Sequence, residues 1–422
     1  MTSGRKLLLF LLAVSLIAGL STGGLLYYRL SVLWALLLFV GWVWSELSLR
    51  GVKFDRSART IRAQVGQIFE ERFDIQNPSI IPRVWIEVQD TSTLPGSEGS
   101  RVITMIQGRQ SRSYLARTRL LQRGVYPLGP TILSSGDLFG LFPRKISIPA
   151  EDTLLVYPMM VEIKNFPNPP GLLPGGEALR RRTHQITPNA AGIREYEPGD
   201  PLNRIHWLSS ARRGRMMVKE FELDPLADVW IFLDAERAIQ CSNPQAEVPS
   251  FAKDIWHRYT KITLQPSTEE YGVSIAASLA RDYLKRGRAV GLVGAGQQLV
   301  LISPDRGGRQ LGKILESLAL LRAMGRIPLR GLVETQVKHM VRGSTVVLIT
   351  PTVRSEAAIL ADYLLQRGLK PVVILLDAAT FGGSPGTDKL QASIQVLGVP
   401  VRKIACECDL EQALSHGNGR GV

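Results

Sequence analysis

The sequence predicts a mostly parallel, doubly wound α/β sheet, preceded by an antiparallel β-sandwich and by an N-terminal transmembrane helical hairpin. Three observations predict this architecture. Two long apolar runs open the chain, about a hundred residues of short β-rich stretches follow, and after about residue 226 apolar strands alternate with amphipathic helices. A chain of 422 residues is too long for one typical domain, so we expect several folding units.

The apolar runs at residues 7–28 and 30–45 each approach the length that crosses a hydrocarbon slab of about 30 Å. We assign residues 1–50 to this hairpin and place its turn within residues 21–29. Arg5 and Lys6 precede the hairpin and five basic residues follow between 50 and 62, whereas the turn region holds only Arg29. A cleaved signal peptide and a buried helix pair are the alternatives.

This charge bias predicts that both ends of the hairpin, and hence the soluble domains, lie in the cytoplasm. We therefore expect a multi-pass protein of the cell inner (plasma) membrane that contacts membrane lipid through residues 7–45.

Residues 51–160 are predicted to form the β-sandwich. Apolar and polar residues alternate in stretches such as 67–75 and 83–88, and turn residues such as Asn77-Pro78 separate them. Period-two alternation is typical of antiparallel sheets with one buried face. A Pro/Gly-rich linker at residues 165–176 separates this unit from the next, because proline interrupts helices and central strands.

Residues 226–410 are predicted to form the α/β domain. Fully apolar stretches at 229–233 and 372–376 predict buried strands, and the amphipathic stretch at 267–286 predicts a helix. Ligands of such sheets usually bind beyond the carboxyl ends of the strands. The last segment, residues 411–422, is predicted to be a disordered tail.

Residues 161–225 are predicted to hold the linker and a motif dense in charged and turn residues. The motif reads GIREYEPGDP at residues 192–201, RIHW at 204–207, SARRG at 210–214 and VKEFE at 218–222. This order of residues resembles the bacterial proteins catalogued as domain of unknown function 58. A hairpin anchor ahead and a von Willebrand A-like domain behind extend the resemblance over nearly the whole chain.

The resemblance implies a von Willebrand A-like fold for residues 226–410 and a MoxR-type AAA+ ATPase as partner. It implies no known reaction, and we expect no enzymatic activity. Residues 307–313 have the spacing of a phosphate-binding loop, but Ile314 stands where a Ser or Thr would bind Mg²⁺. His206 is not accompanied by a recognisable nucleophile.

Two interpretations of the motif remain open. Its mixture of positive and negative charges favours an internally paired connector, held by Arg–carboxylate pairs. The alternative is a docking surface for another protein, formed together with the loop at 234–238. To that partner-binding surface we assign Arg194, Tyr196, Asp200, Arg204, His206, Trp207, Arg212, Lys219 and Glu236.

We expect no metal and no cofactor. A von Willebrand A domain binds Mg²⁺ through Asp-x-Ser-x-Ser after its first strand, with further oxygen ligands from later loops. Here that position reads DAERA at residues 234–238, and the later loop reads TPT at 350–352. Both serines are replaced and Arg237 brings a positive charge to the loop. A degenerate site at Asp234 and Glu236 is the alternative.

The net charge of +14 permits nucleic acid, anionic lipid or acidic protein as partner. We expect no nucleic-acid binding, because the membrane flank explains several basic residues and no aromatic residues are interleaved with them. The sequence thus predicts a membrane-anchored, non-enzymatic interaction or assembly protein. A weak, divalent-metal-dependent ligand-binding domain and, on the basis of the basic run at 180–182, a nucleic-acid-binding membrane protein are the alternatives.

Overall fold

The computed structural model describes residues 2–164, 166, 190–197, 205–221, 228–243 and 264–415. Of the linker predicted at 165–176, all but Phe166 lies outside the described residues. Residues 198–204 of the motif also lie outside them.

Two apolar helices open the chain, α1 (Ser3–Thr22) and α2 (Leu25–Ser48). Both are long and apolar enough to cross a membrane, and few of their residues are buried inside the protein. The chain reverses at Gly23, whose φ of +68° favours glycine, so the turn falls within the predicted region. The second helix begins at Leu25, before the predicted start, and therefore includes Arg29. The prediction of two N-terminal apolar helices is confirmed.

Ten strands lie between residues 53 and 157. They are β1 (Lys53–Ala58), β2 (Arg62–Gln64), β3 (Ile68–Gln76), β4 (Arg83–Asp90), β5 (Arg101–Ile106), β6 (Ser111–Arg119), β7 (Gly124–Pro127), β8 (Thr131–Ser135), β9 (Arg144–Ile148) and β10 (Thr153–Tyr157). They form an antiparallel sheet β1-β3-β6, an antiparallel sheet β5-β4-β8-β9, and a mixed sheet β2-β10-β7. Side chains of the first two sheets share one core, which includes Phe73 and Ile86, and Leu49 at the end of α2 packs into it.

The motif forms a small antiparallel unit, which we call the motif hairpin. It consists of β11 (Ala190–Glu195), α3 (Trp207–Arg213) and β12 (Met217–Phe221). The register pairs Glu195 with Met217.

The α/β domain contains a six-stranded sheet, and its elements have these bounds: β13 (Val229–Leu233), α4 (Thr268–Lys285), β14 (Val290–Ala295), β15 (Leu299–Asp305), α5 (Gly308–Leu320), α6 (Leu329–Gln336), β16 (Thr345–Thr350), α7 (Glu356–Gln366), β17 (Lys370–Leu376), α8 (Thr387–Val396), β18 (Val401–Ile404) and α9 (Leu410–Ser415). The strand order is β15-β14-β13-β16-β17-β18, and β15 is antiparallel to its neighbour β14. The prediction of a mostly parallel sheet is confirmed.

Apolar side chains cover both faces of this sheet. Along β13, Val229, Ile231 and Leu233 belong to the core beneath α4 and α5, whereas Trp230 and Phe232 belong to the core beneath α6, α7 and α8. A strand buried on both faces has no polar alternation, which explains the uninterrupted apolar sequence. The first core continues into the sheet β2-β10-β7. The strands of residues 53–157, which we call the β region, and the α/β domain therefore share buried side chains.

One arginine of the β region is fully buried in the α/β domain. Arg123, between β6 and β7, forms ion pairs with Glu269 and Glu270 in the first turn of α4. It also donates hydrogen bonds to the carbonyls of Leu318 at 3.0 Å and Leu321 at 2.7 Å, at the end of α5. Acidic groups favour helix N-termini and a cation favours helix C-termini, so Arg123 satisfies both helix ends at once. We call these residues the Arg123 cluster.

Two differences from the sequence-based predictions concern short helices. Helix α9 occupies the start of the predicted disordered tail: Leu414 is fully buried, and the Ser415 hydroxyl accepts a hydrogen bond from the backbone N–H of Lys164. The prediction was therefore wrong for residues 411–415, while residues 416–422 lie outside the described residues. Helices α6 and α8 were not predicted.

Candidate functional site

The candidate site lies where the strand order of the α/β sheet reverses. From β13 the chain adds β14 and β15 on one side, and then β16, β17 and β18 on the other. Loops that leave the carboxyl ends of β13 and β16 therefore diverge to opposite faces and leave a crevice, the usual place for a ligand in such sheets. Asp234 follows β13 directly, and Thr350 ends β16. The site is built on these two neighbouring strands.

Asp234 is 5% exposed and is held by hydrogen bonds from Thr350 and Glu236. Its Oδ2 accepts a hydrogen bond of 2.7 Å from the Thr350 hydroxyl, and its Oδ1 accepts one of 3.3 Å from the backbone N–H of Glu236. Burial raises the pKa of Asp234 to about 6, although both hydrogen bonds favour the charged form. This carboxyl group therefore changes its charge close to neutral pH.

Glu236 and Arg354 face each other at the mouth of this crevice. The Glu236 Oε1 atom lies 3.8 Å from Nη1 of Arg354, which is half exposed. A cavity of about 20 Å³ lies between them, lined also by Asp234, Arg330 and Glu356, and it has room for about one water molecule. The mouth therefore presents two basic and two acidic side chains around a buried carboxyl group. We call Asp234, Glu236, Thr350 and Arg354 the switch-point site.

The switch-point site does not fit Mg²⁺ well. A hard divalent cation needs about six oxygen ligands, and Asp234 is joined here by one threonine hydroxyl and one nearby carboxylate. The guanidinium of Arg354 already pairs with Glu236, so a positive charge occupies the neighbourhood of the would-be ligand. In the described part of the chain no group of three or more His, Cys, Asp or Glu side chains is placed to hold a metal. The described donors of this site are therefore fewer than Mg²⁺ requires.

In the motif hairpin, His206 is the N-cap residue of α3. Its Nδ1 accepts a hydrogen bond of 3.2 Å from the backbone N–H of Ser209 and lies 2.7 Å from the Ser209 hydroxyl, at the N-terminus of α3. Ser210 joins the helix to β12, because its hydroxyl accepts from the backbone N–H of Met217. His206 thus positions α3 on the hairpin, as a capping residue does.

Helix α3 presents large apolar side chains to the exterior. Trp207 is 70% exposed, Leu208 is 62% exposed, and α3 has no buried residue. Arg212 and Arg213 are exposed in its last turn. Exposed tryptophan beside arginine is the composition that dominates the binding energy of protein interfaces. Trp207 and Arg212, both assigned to the partner-binding surface, are thus exposed on the same short helix.

The remaining predicted residues divide into three groups. Tyr196 is half-buried, and its backbone N–H donates to the carbonyl of Met216. For Arg194 and Lys219 the structure describes only their backbone positions, paired across the hairpin with Val218 and Ile193. Asp200 and Arg204 lie outside the described residues.

The structure brings Asp234 and Glu236 together in one site. In the described residues, the hydrogen bonds given for the motif hairpin join residues within 190–221. The ion pair of 2.9 Å between Glu195 and Arg215 is an internal Arg–carboxylate pair of the kind that the connector interpretation requires. The two interpretations of the motif therefore both stay predictions.

Sequence reasoning missed Arg354, Arg330 and Leu208. The two arginines reach the switch-point site from the loop after β16 and from α6, and no sequence spacing connects them to Asp234. Leu208 stands beside Trp207 in the sequence, and two consecutive large apolar residues among charged ones were a signal that could have identified the exposed surface of α3.

Comparison with known proteins supports the resemblance stated from the sequence. The profile of the family described as "Protein of unknown function DUF58" matches residues 192–247, which include the motif hairpin except its first two residues, and also the Asp234 loop. The protein named "Uncharacterized protein YeaD" of Bacillus subtilis (strain 168) is 23% identical over 244 residues. That match covers 57% of this chain and 54% of the relative, so the chain spans about half the length of the curated relative it matches. Together these findings support a DUF58 protein.

Similarity to solved structures is weak. The CARDB domain of the PF1109 protein from Pyrococcus furiosus is 9% identical, and the match covers 25% of this chain and 91% of that domain with a TM-score of 0.18. A beta-glucosidase from Listeria innocua is 10% identical, with 24% of this chain and 16% of the enzyme covered and a TM-score of 0.15.

Proposed function

We propose that this chain is a membrane-anchored interaction or assembly protein of the inner (plasma) membrane. In this proposal α1 and α2 cross the membrane, both ends of the hairpin and the soluble domains lie in the cytoplasm, and the motif hairpin with the switch-point site binds a protein partner. The role is one of binding rather than catalysis. The resemblance to domain of unknown function 58 supports a MoxR-type AAA+ ATPase as that partner.

The observation that carries the docking role is the exposure of α3. A soluble surface seldom keeps a tryptophan and a leucine exposed side by side without use, since burying them against a partner is favourable. Arg212 and Arg213 at the end of α3 complement acidic residues. We therefore expect the partner to offer an apolar pocket flanked by carboxylates.

The proposal includes two finer assignments of fold. The sheets of residues 53–157 are proposed to be a β-sandwich, which their shared core supports. The domain from residue 226 is proposed to be von Willebrand A-like, which its strand order and its single antiparallel edge strand support. In this assignment the switch-point site occupies the position of the metal site of such domains, with Glu236 and Arg354 paired in place of metal ligands.

Binding between the full chain in detergent and a purified MoxR-type ATPase encoded in the same genome tests the proposal. We expect Trp207→Ala to weaken binding more than tenfold, because a central interface tryptophan typically contributes about 2 kcal/mol or more. The matched control is Leu299→Ala, which removes a comparably exposed apolar side chain, 60% exposed, from the edge strand β15. Equal binding by wild type and Trp207→Ala would overturn the docking role of α3.

A further inference from the structure

A second arginine of the β region is buried at the end of membrane helix α2. Arg83, the first residue of β4, is 4% exposed. Its guanidinium donates hydrogen bonds to the backbone carbonyls of Leu47 and Arg50, the latter at 2.9 Å. These carbonyls lie at the C-terminus of α2, where the last turn of a helix leaves its acceptors unsatisfied and carries partial negative charge. Arg83 therefore fastens α2 to the β region.

The charge of Arg83 is not neutralised by a carboxylate of the described residues. The ion pairs described there do not include Arg83, and its Nε is buried without a hydrogen-bond partner. Burial lowers the pKa of Arg83. A buried cation is costly unless an anion pairs with it. The surroundings of Arg83 therefore favour an anionic group from outside the chain.

A cavity beside Arg83 has space for such a group. Its volume is about 290 Å³, close to that of the smaller ligand pockets of proteins, ~300 Å³. Apart from Arg83 its walls are largely apolar, and the larger apolar side chains are those of Trp44, Leu47, Ile81, Pro82 and Val84. One cation in an apolar cavity suits an amphiphile with an anionic head and a hydrocarbon chain.

The cavity lies beside the last turns of α2, where the proposed membrane anchor would leave the bilayer. Trp44 and Leu47 belong to the last turns of α2, and aromatic side chains such as Trp44 favour the headgroup level of a bilayer. The loop after β8 contacts the same turns, because the Ser45 hydroxyl donates a hydrogen bond of 2.5 Å to the carbonyl of Phe142. In this loop Leu138 is 62% exposed and Phe139 is 67% exposed. Lipid would cover these side chains.

We infer that this cavity binds one anionic phospholipid, whose phosphate oxygens accept hydrogen bonds from Arg83 and whose acyl chain contacts Trp44 and Val84. Arg5, Lys6 and Lys53 lie near the same ends of the hairpin helices and attract anionic headgroups to this surface. The inference rests on the membrane-anchor part of the proposed function. It goes beyond that function, because the site is a lipid site and is separate from the switch-point site.

Native mass spectrometry of the full chain tests the inference. Wild-type protein is equilibrated in detergent with equal amounts of phosphatidylglycerol and phosphatidylcholine, and the retained lipid is identified. We expect one retained phosphatidylglycerol and at least a tenfold smaller retained fraction in Arg83→Gln. Arg342→Gln, which removes an exposed arginine from the α/β domain, is the matched control and should retain lipid as the wild type does. Undiminished retention by Arg83→Gln, or no preference for phosphatidylglycerol, would overturn the inference.

A cavity-filling variant and a measurement on wild type cover the case in which Arg83→Gln does not fold. Val84→Trp keeps the guanidinium and occupies the cavity, so it should lose the lipid while remaining folded. In wild type, phosphatidylglycerol should raise the melting temperature, because a ligand of the native state stabilises it, and inorganic phosphate alone should not. Absence of a shift with phosphatidylglycerol, or an equal shift with inorganic phosphate, would contradict a lipid site.

Failure of the inference can be separated from failure of the anchor. Carbonate extraction of cell membranes reports whether α1 and α2 hold the chain in the bilayer. A chain released by carbonate contradicts the membrane-anchor part of the proposed function. A chain that stays in the membrane fraction but retains no phosphatidylglycerol contradicts the lipid site alone.

Discussion

The β region contacts helix α2 and the α/β domain through one buried arginine each. The two arginines differ in whether a carboxylate pairs with them. Arg123 and Arg83 both donate hydrogen bonds to carbonyls at the end of a helix, α5 in one case and α2 in the other. Arg123 also pairs with Glu269 and Glu270, whereas no ion pair is described for Arg83. The positive charge at the junction with the α/β domain is therefore balanced by carboxylates of the same chain. At the junction with α2, the proposed lipid anion would complete the site.

The largest expected effect concerns Arg123. Replacing it by alanine leaves two carboxylates without their buried partner, and breaking a buried pair in this way typically costs about 3–5 kcal/mol. The control is Arg62→Ala, because Arg62 joins β2 to Glu316 of α5 at 3.0 Å but is 62% exposed. An exposed pair contributes about 0–1 kcal/mol. Denaturant unfolding of the full chain measures both, and equal losses would show that the Arg123 cluster is not a special junction.

Asp234 is a buried acid that accepts a hydrogen bond from a threonine hydroxyl, and it can be compared with the two buried arginines. Its folded pKa of about 6 exceeds the unfolded value of roughly 3.9, so the folded protein keeps the proton to higher pH. Stability contributed by the protonated group is therefore lost as the pH rises from about 4 through 6. Relative to Asp234→Asn, wild type should lose on the order of 2 kcal/mol between pH 4 and pH 7.

Denaturant unfolding at several pH values measures this difference. Asp305→Asn, which replaces an exposed carboxylate on β15, is measured beside it as the control. A constant difference between wild type and Asp234→Asn across the range would mean that the charge of Asp234 is compensated in the folded protein. The charge of Asp234 would then be balanced by other groups of the chain, as the charge of Arg123 is by Glu269 and Glu270.

The sequence predicted local features better than these junctions. The bounds of β13 were predicted to the residue because five apolar residues stand between Asp228 and Asp234. Helices α6 and α8, of eight and ten residues, were missed because so few turns give little periodicity. The Arg123 cluster joins residues 146 and 195 positions apart, and no local pattern encodes such a contact.

In the candidate site, too, local features were predicted from the sequence, whereas contacts between distant residues were not. The sequence showed that both serines of the Asp-x-Ser-x-Ser pattern are replaced in the Asp234 loop. This replacement indicated a site poorly suited to Mg²⁺. The pairing of Glu236 with Arg354 depends on β13 and β16 being neighbours in the sheet, which only the strand order determines. His206 was assigned to the partner surface, and its role as the cap of α3 depends on a hydrogen bond that the sequence does not reveal.

Arg83 is expected to contribute less to stability than Arg123 when no lipid is present. Arg83→Gln loses the hydrogen bonds to Leu47 and Arg50 but also removes a buried charge without a described counterion. The net loss in lipid-free detergent should be about 1–2 kcal/mol. Unfolding is measured beside Arg123→Ala in the same detergent. A loss as large as that of Arg123→Ala would show that Arg83 stabilises its junction fully without an anion. The proposed difference between the two arginines would then not hold.

Trp207 should have the smallest effect on stability, because its surroundings differ from those of both arginines. It is 70% exposed on α3, so replacing it by alanine removes few internal contacts and should change the free energy of unfolding by about 0.5 kcal/mol or less. Trp230→Ala is the control. This tryptophan is 4% exposed on β13, where truncation leaves a cavity that costs about 3–5 kcal/mol. If unfolding shows that Trp207→Ala is destabilised as strongly as Trp230→Ala, then Trp207 is covered by other parts of the chain, and α3 is an internal connector and not a partner surface.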